Sequence, residues 1–115
     1  MNPKSPQRLR DAKDHVRLSL EALEHFGDAL EHDAFASLAL QRSVEVMGEA
    51  LRVISETDPQ TVQNHPEIPW KPAIRLRTRL AHGYSNIEMD FLIETVRAEF
   101  PDLLDKLNAA LALYE

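Results

Sequence analysis

Residues 70–84 read WKPAIRLRTRLAHGY, and the fold class turns on how this stretch is read. Leu, Ala, Arg and Lys are good helix formers. At about 100° per residue, Trp70, Ala73, Ile74, Arg77, Leu80 and Ala81 fall along one stripe of a helix. A helix is therefore expected from near Trp70 to about Ala81, ending at His82-Gly83-Tyr84. The stretch holds the chain's single tryptophan and four basic residues, Lys71, Arg75, Arg77 and Arg79, with no acid between them. A helix that gathers guanidinium groups and stops at His-Gly-Tyr suggests phosphate chemistry.

The same helical spacing extends in both directions. Ser5-Pro6 reads as an N-cap followed by a first helical proline, and Leu9, Ala12, Val16, Leu20, Leu23 and Phe26 then form one apolar face ending near Gly27. A connection over 28–33 leads to a second long helix, roughly 34–55, whose stripe includes Phe35, Leu38, Val44, Met47, Leu51 and Ile54. Gly48 lies mid-helix at a cost of up to ~1 kcal/mol relative to Ala. It marks either the close approach of another helix or a tolerated surface glycine. Asp58-Pro59 caps a short third helix, broken by Pro66 and Pro69. Beyond the central stretch, Asn86 reads as the cap of a fifth helix with Ile87, Phe91, Leu92, Thr95 and Val96 on its apolar side. Pro101 either kinks that helix or starts a sixth, with Leu103, Leu104, Leu107, Ala110, Leu111 and Tyr114 facing the core. The expected fold is all-α, an antiparallel helical bundle of two long helices plus three or four shorter ones, forming a single domain over 1–115.

A chain of 115 residues can bury one core with little to spare. Its net charge of −6 argues against general nucleic-acid binding. The distribution changes that conclusion: of thirteen basic residues four lie at 71–79, leaving nine against nineteen acidic residues elsewhere. Because charges more than about 10 Å apart are largely screened at 0.1 M salt, one basic patch on an acidic body can still attract a polyanion. The absence of cysteine excludes disulfides and thiolate metal sites. His15, His25, His32 and His65 form no HExxH or Glu-x-x-His pattern, so neither a zinc nor a di-iron site is expected. His25 and His32, flanking the first turn, read as solvated. No cofactor is expected. The N-terminal MNPKSPQRLR lacks the apolar run of a signal peptide, and nothing approaches the ~20 apolar residues of a membrane span. A cytoplasmic location is expected.

Arg77 sits where the pattern requires an apolar side chain, and arginine is rarely buried without a partner. Either it reaches a carboxylate on a neighbouring helix, Glu45 or Glu49, or its stripe lines a cleft or subunit interface and holds it for a ligand. His82 falls at the helix C-terminus, where the macrodipole favours imidazolium; capping and catalysis both fit. Arg75 and Arg79 share its side of the helix, whereas Arg77 lies about 140° away. A two-fold axis would bring Arg77 and His82 of two copies together, and Trp70 and Ile74 offer apolar surface for such a dimer.

His65-Pro66-Glu67-Ile68-Pro69-Trp70, followed by Arg77-x4-His82-Gly83-Tyr84, resembles the HepT-like branch of the HEPN proteins. Residues 41–50, QRSVEVMGEA, resemble that branch's second-helix signature. The bare Arg-x4-His arises often by chance, and the flanking Pro-x-x-Pro-Trp, Gly-Glu-Ala and Gly-Tyr make the match specific. The resemblance implies the toxin of a two-gene toxin–antitoxin module, a metal-independent ribonuclease acting as a homodimer with both Arg-x4-His motifs in one cleft. By position Arg77 and His82 would be the catalytic pair. Tyr84 would be the tyrosine to which a partner minimal nucleotidyltransferase transfers AMP. Relatives commonly carry Asn or Asp after the motif arginine. Here Thr78 stands there; it lies one turn before His82 and within reach of a hydrogen bond to it, but lacks an amide's fixed donor and acceptor. Lys71, Arg75 and Arg79 would steer the RNA strand. The competing function is a non-catalytic subunit that holds a nucleotide or docks a nucleotidyltransferase.

Overall fold

The computed structural model describes residues 2–83 and 88–114, with His82 and Gly83 described by their backbone alone. The order is α1 (Ser5–Phe26), a 3-10 turn (Gly27–Glu31), α2 (Ala34–Thr57), α3 (Pro59–Asn64), α4 (Trp70–Gly83) and α5 (Met89–Ala112). No strand occurs among the described residues. The all-α bundle expected from periodicity is what forms. α1 packs along α2, α5 packs on α1, and α4 packs on α2, while α4 and α5 barely touch.

Local chemistry sets most of the boundaries. Gly27 ends α1 at φ +52°, a left-handed conformation that favours glycine. Asp33 opens α2, its Oδ1 accepting from the backbone N–H of Phe35 at 2.8 Å and of Ala36 at 3.4 Å. Asp58 caps α3, as expected, by accepting from the N–H of Thr61. Ser5 departs from expectation: it is the first residue of α1 and not its cap, and its buried hydroxyl donates to Asp58 Oδ2 at 2.7 Å. Thr61 Oγ1 (2.6 Å) and the Asn2 N–H (3.0 Å) donate to the same oxygen. Asp58 therefore ties the start of α1 to the α2–α3 corner. Burial pushes its carboxyl up, but the hydrogen bonds from Thr61, Ser5 and Asn2 together outweigh it and hold the pKa at about 2.

The core is formed by Leu9, Ala12 and Val16 of α1, Leu40, Val44, Met47, Leu51 and Ile54 of α2, and Leu92, Val96, Leu103 and Leu107 of α5. Phe35 and Leu38, expected in the core stripe of α2, are 84% and 59% exposed. The buried face of α2 runs through Ala36, Leu40, Ser43, Val44 and Met47 and leaves them outside. Of the two readings of Pro101, a fifth helix that continues and a new sixth one, the first holds: α5 runs through Pro101 to Ala112, so the described residues hold three long helices where two were expected. One lost backbone hydrogen bond is outweighed there by burial of Phe100, Leu103 and Leu107. Asn86 and Ile87 lie outside the described residues; α5 begins after Glu88, which makes no side-chain cap bond.

The contact that places α4 is made at Gly48. A Cβ there would overlap Arg77 Cβ, and would stand 3.0 Å from the Ala73 carbonyl oxygen and 3.1 Å from Arg77 Cγ. Close approach of another helix is thus what this glycine serves. None of the helices among the described residues is long and apolar enough to cross a membrane.

Two measurements follow from these contacts. Gly48→Ala gains helix propensity but overpacks the α2–α4 crossing, so a net loss of about 1–2 kcal/mol is expected in denaturant unfolding. Asp58 has its folded pKa below the ordinary value of about 3.9. Its contribution is therefore complete above about pH 4 and lost as pH falls toward 2. Asp58→Asn should flatten the decline of melting temperature across that window relative to the unaltered chain.

Candidate functional site

α4 is anchored at its N-terminus by Trp70, which is buried and donates from Nε1 to the His65 carbonyl oxygen at 2.9 Å. This tryptophan belongs to the monomer's own core, so it does not supply the dimer surface expected of it. Ile74 is half-buried. From this anchor the helix projects its cations onto two different faces.

Arg77 faces α2. Its Cβ and Cγ lie against Gly48, and its guanidinium reaches Glu49, with Nε 3.0 Å from Glu49 Oε2. The distance is that of an ion pair, yet the Nε–H is not aimed at the oxygen, and Nε is buried without a hydrogen-bond partner. Arg52 is the hydrogen-bonding partner of the same carboxylate. It holds Glu49 with both arms of its fork, Nε to Oε2 at 3.0 Å and Nη2 to Oε1 at 2.7 Å. Its Nη1 also donates to Glu56 Oε2 at 2.6 Å. The hydrogen bond from Arg52 is the largest influence lowering the Glu49 carboxyl below its ordinary value; the nearby Arg77 charge adds to it, and partial burial opposes both. Glu49 raises Arg52 further above its already high value. Of the two carboxylates expected as partners, Glu45 is taken by Arg42 at 2.6 Å, and Glu49 receives Arg77. The first reading of Arg77 therefore holds geometrically. Its Nε–H is nonetheless uncommitted.

Lys71, Arg75 and Arg79 follow one another at four-residue steps and are exposed on the other side of α4. The Arg79 guanidinium lies 4.4 Å from the centroid of the Phe91 ring on α5, a cation–π contact. Between the two helices lies a groove of about 610 Å³, lined by Arg75, Leu76 and Arg79 on one wall and Phe91, Thr95 and Glu99 on the other. Thr78 is exposed, and its hydroxyl donates to the Ile74 carbonyl oxygen at 3.0 Å. That bond uses the hydroxyl's single hydrogen. The backbone of His82 occupies the last turn of α4. The His82 side chain and Tyr84 lie outside the described residues. A smaller cavity of about 300 Å³ near this end of α4 is lined by Leu38, Gln41, Arg42 and Glu45 of α2 with Leu80 and Ala81.

Among the described residues no group of three or more His, Cys, Asp or Glu side chains could hold a metal ion. His25 and His32 are exposed, as expected, whereas His65 is buried with Nδ1 3.3 Å from Glu67 Oε1. Arg52 and Phe91 were the site residues that sequence reasoning missed. The Glu49-x2-Arg52-x3-Glu56 spacing did place the first on one face with two acids. Nothing in the sequence set Phe91 opposite Arg79.

The family model described as "Ribonuclease HepT-like" matches residues 10–110. The chain belongs to the HepT-like ribonuclease family. A HepT-like relative from Thermococcus cleftensis, named "Probable ribonuclease HepT", is 28% identical over 104 residues, covering 86% of this chain and 92% of the relative. A protein of Methanocaldococcus jannaschii, named as a candidate RNase, is 32% identical over 81 residues, or 70% of this chain and 64% of its own. Another so named, from Caldanaerobacter subterraneus, is 30% identical over 71 residues, 62% of this chain and 61% of that one. No solved structure matches the chain.

Proposed function

We propose that this chain is the ribonuclease toxin of a toxin–antitoxin pair and cleaves RNA without a metal, using Arg77 and His82 at a homodimer interface. The observation that carries the reading is the seating of Arg77. A purely structural arginine would share hydrogen bonds with its carboxylate; this one is held beside a carboxylate whose oxygens are already engaged by Arg52. Its planar donors stay charged at any working pH and match phosphate oxygens.

The chemistry is transesterification. The RNA 2′-hydroxyl loses its proton to a base and its oxygen attacks the adjacent phosphorus. The bond to the 5′-oxygen breaks as an acid protonates that leaving group, giving a 2′,3′-cyclic phosphate and a 5′-hydroxyl. Imidazoles of His82 from two copies serve as base and acid, and Arg77 stabilises the charge on the phosphorane. Lys71, Arg75 and Arg79 draw the strand toward the site. The exposed pair Phe35 and Leu38 supports the dimer, since Leu38 lines the cavity beside Leu80 and Ala81 at the His82 end of α4.

Tyr84 follows His82 by two residues. Transfer of AMP to its hydroxyl from ATP, with release of pyrophosphate by a partner nucleotidyltransferase, would put an anion and a bulky base beside Arg77 and His82 and silence the toxin. A second reading, a non-catalytic subunit that holds a nucleotide or docks the nucleotidyltransferase, draws on Thr78, whose hydroxyl bonds within its own helix.

Cleavage of a single-stranded RNA should survive EDTA, leave 2′,3′-cyclic ends, and fall by roughly 10²–10⁴-fold in His82→Ala. Inhibition by EDTA, or full activity in His82→Ala, would reject the mechanism. Leu38→Asp should sediment as a monomer and lose cleavage together with dimerisation; an active monomer would refute the shared site. Mass spectrometry after co-expression with the nucleotidyltransferase should find AMP on Tyr84, and an unmodified tyrosine would end the regulatory claim.

A further inference from the structure

The groove between α4 and α5 is not needed for the cleavage chemistry, and its walls are unlike each other. α4 packs on α2 and α5 on α1, so the two helices stand apart and leave a space of about 610 Å³, within the range of small-ligand sites. Pro72, Leu76 and Ala98 make its lining apolar. The α4 wall carries Arg75 and Arg79. The α5 wall carries Glu94, Thr95 and Glu99, together with Phe91, which is 39% exposed and already presents a ring face to the Arg79 guanidinium.

We infer that this groove is a subsite for one unpaired nucleotide of the RNA strand, its base stacked on Phe91 and its phosphates against Arg75 and Arg79. The inference rests on the ribonuclease reading. A nucleobase offers the same flat partner as the guanidinium now over the ring; as it stacks, Arg79 moves to the phosphate. The charges of the two walls fix the orientation. Phosphates are repelled by Glu94 and Glu99, so the backbone runs along α4, where Lys71 continues the row of cations, and the base edge points to α5. That edge meets acceptors: the two carboxylates, of which Glu94 also pairs with Arg97 at 3.3 Å, and the lone pairs of Thr95, whose hydroxyl hydrogen goes to the Phe91 carbonyl oxygen. Exocyclic amino groups of adenine, cytosine and guanine suit such a wall better than the two carbonyls of uracil.

The test is fluorescence anisotropy of the full chain with short oligo(A), methylated at every 2′-oxygen so that it binds without being cut. Stacking of a base on an aromatic ring is worth ~1–3 kcal/mol, so Phe91→Ala should weaken binding about tenfold or more while leaving the melting temperature near that of the unaltered chain. Phe91→Trp should retain affinity, and an oligo(U) of equal length should bind more weakly. Unchanged affinity in Phe91→Ala overturns the proposal and leaves the groove to a protein partner; equal binding of oligo(A) and oligo(U) overturns the acceptor wall. Should Phe91→Ala fail to fold, Phe91→Leu keeps apolar bulk without a π face, and affinity equal to the unaltered chain in that variant is equally decisive. Binding read in this way does not require cleavage, so failure of the ribonuclease reading at His82 would be seen separately.

Discussion

The approach of α4 to α2 at Gly48 is the constraint on which the rest of this molecule depends. A helix crossing that admits no Cβ brings two backbones together and leaves a side chain opposite the glycine no freedom at its base. That side chain is Arg77. With Cβ and Cγ fixed, its guanidinium emerges over the next residue of α2, Glu49. Position 48 thus determines where a cation appears on the surface, and position 49 determines what it faces. Anchorage of α4 at its other end by Trp70, through Nε1 to the His65 carbonyl, keeps the crossing from sliding.

The cations of the central helix then differ in their surroundings. Glu49 is shared unequally: Arg52 takes its oxygens in a bidentate fork, and Arg77 Nε lies at ion-pair distance without an aligned hydrogen bond. An arrangement of this kind offsets part of the cost of half-burying a guanidinium while leaving its Nε–H unused. Lys71, Arg75 and Arg79 stand on the opposite face, solvated except where Arg79 lies on Phe91. The chain's net negative charge therefore coexists with a row of cations along one helix.

Much of this was legible in the sequence because it is local. Helix limits followed from apolar spacing, from Asp58 as a cap and from Gly27 as a stop, and the mid-helix Gly48 offered a close neighbour as one of its two readings; the Asp33 cap of α2 was not read from the sequence. The errors have a common physical origin, in that contacts distant in sequence override local preference. Ser5 has the chemistry of a cap but is claimed by Asp58, 53 residues away. Phe35 and Leu38 fit the apolar stripe of α2 by spacing, yet packing buries only its later members, Val44, Met47, Leu51 and Ile54. Pro101 reads equally as a kink or as the start of a new helix, and one helix continues through it with the side chains around it buried. Of the candidate site, the residue types and the choice between Glu45 and Glu49 were in view. The preference for Glu49 was not, because it follows from Glu45 being engaged by Arg42 and Glu49 being presented by the glycine beside it.

The central claim is that Arg77 is kept at this crossing for a ligand and not for the fold, and Arg77→Met tests it most directly. Methionine preserves the packing stem and removes a charge whose Nε is buried without a hydrogen bond. The account predicts a melting temperature equal to or above that of the unaltered chain together with loss of RNA cleavage. A variant that melts several degrees lower while cutting RNA at the original rate would contradict it.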